Sequence, residues 1–196
     1  MAGCQYLSVS DLNQVFNPSL HFKFKKIEVT KAMDQNITFI GGGNMARALA
    51  SGIVKQKGSG EHLLVMDVNQ EALDYWASFG ATGILQASEE LSQCAIWVLA
   101  VKPQQMHEVA QALKPYLQKD TLIISVAAGL TIDTLSRWFE HDKLIRTMPN
   151  TPALIGKGIT GVYSMPTVSN AEQERATQIL SAVGEVVPVA EESLLD

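Results

Sequence analysis

Two cysteines in 196 residues are too few to staple a fold. Cys4 and Cys94 have no partners at a recognisable spacing, which excludes a disulfide scaffold and points to a reducing compartment. Cys94 opens an apolar run and reads as a core residue. Ligand patterns are missing too. His21, His62, His107 and His141 are scattered, and neither H-E-x-x-H nor C-x-x-C occurs, so no metal is expected. No stretch approaches the roughly 18 to 20 apolar residues that span a bilayer. No excess of basic charge is present either: 20 acidic and 15 basic side chains leave a net charge of -5, without strong segregation after residue 32. That balance gives no sign of nucleic acid as a partner and favours a soluble, cytoplasmic chain acting on a small molecule.

Residues 1–32 differ from the rest. HFKFKKIEVTK carries Lys23, Lys25, Lys26 and Lys31 in a rough apolar and polar alternation. It lacks the apolar core and cleavage site of a secretory signal, and a mitochondrial leader fits poorly because arginine is absent and Asp11 and Glu28 are present. Met33 reads as the natural start, which makes residues 1–32 an N-terminal extension: a tag, a misassigned upstream stretch or an added surface segment. The competing reading is a peripheral hairpin or a membrane-surface contact through Phe22, Phe24 and the lysines.

What is there begins at residue 37. ITFIGGGNMARAL runs an apolar strand into a glycine turn and then a helix, the order in which backbone alone builds a pyrophosphate site. Gly41 makes the tight turn, Gly43 lets backbone approach phosphate, and Ala46 keeps the helix close to the sheet. Beyond it, strands are expected at 37–40, 62–66, 82–84, 94–101, 122–126, 144–148, 158–163 and 185–188. Helices are expected at 44–56, 70–79, 88–92, from Pro103, from Thr131 and at 170–182. Met45, Leu49 and Ile53 should face inward on the first helix, Leu73, Trp76 and Ala77 on the second, and Leu135 and Trp138 on the one Thr131 caps. Strands separated by helical patterns of this length predict an α/β fold with a doubly wound, mostly parallel sheet of Rossmann type. Ligand loops should gather at the C-terminal strand ends, where 100–104, 125–129 and 146–152 fall.

Candidate residues lie in those loops. Asp67, at the end of the second strand, is placed to accept hydrogen bonds from an adenosine ribose, which favours NAD over NADP; capping the helix from Gln70 is the alternative, a job Asn69 does equally well. Lys102 is a candidate base or nucleophile, against a simpler reading as a solvated ammonium beside a cofactor-positioning turn. Ser125 lacks both triad partners and a G-x-S-x-G setting. Ala127, Ala128 and Gly129 offer backbone that can approach a flat ring, or only a tight packed junction. Pro149 and Pro152 stiffen a loop in which Asn150 and Thr151 present hydrogen-bonding groups, while Arg146 reads as a carboxylate partner or a solvated strand residue.

Taken together, FIGGGNMARAL, AVKPQ, SVAAGLT and RTMPNTPALIGKGITG occur in an order and spacing that resembles the dinucleotide-binding domain of pyrroline-5-carboxylate reductases, from about Ile37 to the end. The resemblance implies NAD(P)H-dependent reduction of 1-pyrroline-5-carboxylate to proline, with hydride passing to the carbon of the C=N bond. It implies cofactor contacts from Ile40, Gly41, Gly42, Gly43, Asn44 and Met45, from Ala100, Val101, Lys102 and Pro103, from Ala127, Ala128 and Gly129, and from Met148, Pro149 and Asn150. The family usually favours NADPH and often has Ser, Thr or Asn near position 67, so Asp67 is a departure. It also continues into a helical domain through which its members form homo-oligomers. Residues 33–196 are expected to stop where that domain would begin, and to bind nucleotide with little turnover. Reduction of another small imine or keto acid, and a non-catalytic nucleotide-binding module, are the alternatives.

Overall fold

In the computed structural model the described residues are 36–196. They lie within one compact unit, Met33–Asp196. The N-terminal extension, 1–32, falls outside the described residues.

Eight strands form one sheet in the order β3-β2-β1-β4-β5-β6-β7-β8. They are β1 Ile37–Ile40, β2 Leu63–Met66, β3 Thr82–Ile84, β4 Ile96–Leu99, β5 Leu122–Ser125, β6 Leu144–Pro149, β7 Gly158–Ser164 and β8 Gly184–Pro188. Every neighbouring pair is parallel except β6 and β7. Among the described residues the α-helices are α1 Asn44–Lys57, α2 Gln70–Ala77, α3 Met106–Leu113, α4 Ile132–Phe139 and α5 Asn170–Leu180.

The central strands read as unbroken apolar runs because both their faces are covered. Along β4, Ile96 and Val98 enter the core under α1, α2 and α5, while Trp97 and Leu99 enter the core under α3 and α4. The same alternation places Phe39 on the first side and Ile40 on the second. The crossovers through α1 and α2 therefore cover one face and those through α3 and α4 the other, and the strand order reverses between β1 and β4, where open α/β sheets have their ligand crevice.

Two helices, α2 and α5, are shorter than the apolar pattern suggests, while α1 runs one residue longer. α2 ends at Ala77, where the Ser78 hydroxyl donates back to the Tyr75 carbonyl and Gly80 follows in the left-handed region. Its inner side is Ala72, Leu73 and Trp76; Ala77 is exposed. On α1 the fully buried residues are Ala46, Leu49, Ala50 and Ile53, with Met45 only partly covered, because alanines allow closer packing on the sheet. Trp138 is likewise half-buried, meeting His107 edge-on, while Ile132, Leu135 and Phe139 form the inner face of α4. Residues 89–93 make a single 3-10 turn, and another, Pro103–Gln105, leads into α3. Cys94 is buried just before β4, and that burial pushes its thiol up to about 11.

Candidate functional site

The turn after β1 is held at both ends by backbone. Gly41 N–H donates to the Met66 carbonyl and Ala100 N–H to the Ile40 carbonyl, so the turn sits between the ends of β2 and β4. Gly41 has φ +96, and a Cβ on it would lie 2.9 Å from the Ala100 carbonyl group. No other residue type fits there without moving β4.

Gly42 is fastened by three side chains. Its N–H donates to Asp67 Oδ2 at 2.7 Å, and its carbonyl accepts from Arg47 Nε at 2.9 Å and Trp76 Nε1 at 3.4 Å. The Arg47 guanidinium also lies 4.5 Å from the Tyr75 ring centre, a cation–π distance. Sequence reasoning missed Arg47 and assigned Trp76 to packing alone. An arginine one turn into a phosphate-binding helix was the available signal.

Beyond the turn, α1 starts on Gly43, whose backbone is extended and which provides no side-chain cap. The first turn of α1 carries no acidic residue, and a Cβ on Gly43 would meet nothing within 4 Å. Unpaired N–H groups at Asn44 and Met45 therefore face open space, the arrangement that receives an anion.

Asp67 does not cap α2. Asn69 does, its side chain accepting from Glu71 N–H at 2.9 Å. The second oxygen of Asp67 accepts from Asn69 N–H at 2.9 Å, so the carboxylate bridges the glycine turn and the start of α2. It lines a cleft of about 240 Å3 with Gly41, Gly43, Val68, Ala100, Val101, Lys102 and Gln105. Lys102 is exposed at the rim. A larger hollow of about 560 Å3 along the outer side of α1 shares only Asn44 with the predicted set.

The other two loops follow β5 and β6. Ser125 is fully buried and its hydroxyl oxygen accepts from Ala127 N–H, a local tie that suits a junction rather than a nucleophile. Ala128 and Gly129 are exposed, and a Cβ on Gly129 would meet open space. Thr147 Oγ1 donates to the Ser125 carbonyl at 2.9 Å, tying the two loops at their base. Asn150 spends its side-chain oxygen on Ile159 N–H, closing the 150–158 loop on itself.

Of the two sequence readings of Arg146, the structure favours the carboxylate partner over the solvated strand residue. It is 1% exposed and donates to Glu192 at 3.0 Å and Asp196 at 2.5 Å. Burial works against its charge, but the hydrogen bonds to Asp196 and Glu192 outweigh it and raise its pKa. Nothing in the local sequence marks this pairing, because its partners lie 46 and 50 positions away.

Among the described residues no group of His, Cys, Asp and Glu could hold a metal ion. None of their helices is long and apolar enough to cross a membrane.

A glycine turn at the switch point of a doubly wound sheet, leading into an uncapped helix, defines the Rossmann class of nucleotide-binding domain. Residues 36–129 match the family described as NADP oxidoreductase coenzyme F420-dependent. More particularly, the chain is similar to pyrroline-5-carboxylate reductases. It is 38% identical over 162 residues to that enzyme of Pseudomonas aeruginosa, covering 82% of this chain and 59% of the other. To the Escherichia coli enzyme it is 35% identical, covering 81% and 60%. Of solved structures, the pyrroline-5-carboxylate reductase from Coxiella burnetii matches with a TM-score of 0.79 at 33% identity, over 82% of this chain and 61% of that one. The Plasmodium falciparum pyrroline carboxylate reductase with NADP bound matches with a TM-score of 0.70 at 27% identity, over 82% and 60%. The chain thus spans about three-fifths of the length of these relatives.

Proposed function

We propose that this chain forms the cofactor-holding part of a pyrroline-5-carboxylate reductase, binding NAD(P)H in the crevice at β1 and β4 and serving reduction of 1-pyrroline-5-carboxylate to L-proline. The observation that carries this reading is the uncapped start of α1 at Gly43, with open space beside it and Ala100, Val101 and Lys102 lining the same cleft. Support for the reaction comes from the relatives' names and for the cofactor from the NADP-bound relative.

The residues fit a dinucleotide. Backbone N–H groups from Gly43 to Met45 neutralise a pyrophosphate without a cation, helped by the positive end of α1. Asp67 takes the adenosine ribose edge of the cleft. Val101 lines the same cleft, and the turn Ala127, Ala128 and Gly129 after β5 and the segment Met148, Pro149 and Asn150 at the end of β6 are assigned to the nicotinamide side because they lie at C-terminal strand ends. Ile40 anchors the turn from within the core.

When bound, the reduced nicotinamide supplies the hydride that the C=N carbon accepts. A protonated imine is already electrophilic, so the chain's residues need only orient, and keep water from, the reacting faces. Alanine and glycine at 127–129 permit close approach, and no buried acid or base in these loops is required.

Titration of the chain with NADPH and NADH, followed by nicotinamide fluorescence, tests the reading directly. Saturable binding of at least one is expected, with competition by the matching oxidised form. Absence of binding by either refutes it.

A further inference from the structure

We infer that Glu192 is a positioning residue for the nicotinamide end of this site, tying together the two loops that flank it. The inference rests on the dinucleotide reading above. A single oxygen, Glu192 Oε1, accepts from Ile132 N–H at 2.6 Å and from Arg146 Nη1 at 3.0 Å. Ile132 is the first residue of α4, which the turn Ala127–Gly129 feeds. Arg146 lies in β6, two positions before Met148, where the third loop starts.

Both ties matter physically. The first N–H groups of a helix have no partner within it, and Thr131 satisfies only that of Thr134. Glu192 supplies the missing acceptor for Ile132 and adds negative charge at the positive end of α4. Arg146, 1% exposed, needs an anion to remain buried, and Glu192 is the more sheltered of its two partners, with 20% side-chain exposure against 65% for Asp196. Removing Glu192 therefore takes an acceptor from the start of α4 and from Arg146 in β6 at once, and loosens the polar tie between them. The adenosine side is built on β1 and β2, and β4 and β5 stand between it and this cluster in the sheet. Leu195, buried beside Gly161, keeps the 192–195 turn seated against β7 and so gives Glu192 its fixed place.

The expected signature is selective: Glu192 variants lose affinity for the nicotinamide half of the ligand and keep it for the ADP-ribose half. The test compares Glu192→Ala, Glu192→Gln and Glu192→Asp in the full chain, with calorimetric titration of the dinucleotide the parent prefers and of the ADP-ribose fragment lacking nicotinamide. Ala and Gln should weaken dinucleotide binding about tenfold, with the fragment within about twofold of the parent, and Asp should recover part of the loss. Equal proportional losses for both ligands, or no loss, overturn the inference, as does a Gln variant that no longer folds by near-ultraviolet circular dichroism. If the parent binds the fragment and dinucleotide equally well, nicotinamide is not held and the inference also falls. A parent that binds neither ligand refutes the cofactor reading itself, a distinct result.

Discussion

At Asp67 a single carboxylate has two demands on it. Its oxygens already accept from Gly42 and Asn69 N–H groups, which fixes the carboxylate at the cleft and leaves it further lone pairs for the ribose proposed to bind there. Negative charge there repels a 2′-phosphate. Asp67→Ser should therefore shift the ratio of NADPH to NADH affinity toward NADPH, and lower stability by about 1 kcal/mol because two backbone donors lose a charged acceptor. Paired titrations and urea unfolding read both effects, and an unchanged ratio refutes the ribose role. The position of Asp67 was legible from the strand end before it; its grip on Gly42 was not, since 25 residues separate them. The same holds for Arg146, whose apolar neighbours concealed an ion pair formed with residues from the end of the chain.

Among the elements, α1 shows how a packing demand can outweigh local preference. Gly52 sits inside the helix, where alanine would ordinarily stabilise by about 1 kcal/mol. A Cβ there would lie 2.4 Å from the Ala182 carbonyl oxygen, in the 3-10 turn after α5. Backbone cannot rotate away as a flexible side chain can, so overpacking at about 1 to 3 kcal/mol should prevail. Gly52→Ala is expected to lower the thermal midpoint, and a rise would mean that the turn moves freely. Boundaries of α2, α3 and α5 were the least legible feature in the sequence. Each helix ends or begins in a 3-10 turn or a side-chain bond set by its neighbours, while apolar periodicity continues past the break.

For the whole molecule, acid stability should depend on Glu172. It caps its own helix through Ser169, in a reciprocal capping box, and binds Lys143 at 3.0 Å just before β6. Burial opposes its charge, but the hydrogen bonds from Ser169 and Lys143 outweigh that and hold its pKa below the ordinary 4.5. A carboxylate depressed in the folded state contributes stability above its unfolded pKa and loses it as pH falls through the folded value. Urea midpoints should therefore fall below about pH 4.5 more steeply for the parent than for Glu172→Gln, whose midpoint at pH 7 should be lower. Parallel slopes would remove Glu172 from the acid transition. Lys143, raised by hydrogen bonds to Glu172 and Asp120, acts at the other limit: its contribution is present below its unfolded pKa and is lost as pH rises through the folded one. What the sequence determined by itself was the order of strands and helices, the glycine turn and the three loops, because apolar periodicity and turn chemistry are local properties. Only the tertiary structure decided that Gly42 is clamped from two sides, that Arg146 is buried, and that Glu192 joins α4 to β6. Apart from the local bond of Arg47 to Gly42, those contacts bring together residues 25 to 60 positions apart, and no local pattern encodes which partners the fold will place within hydrogen-bonding distance.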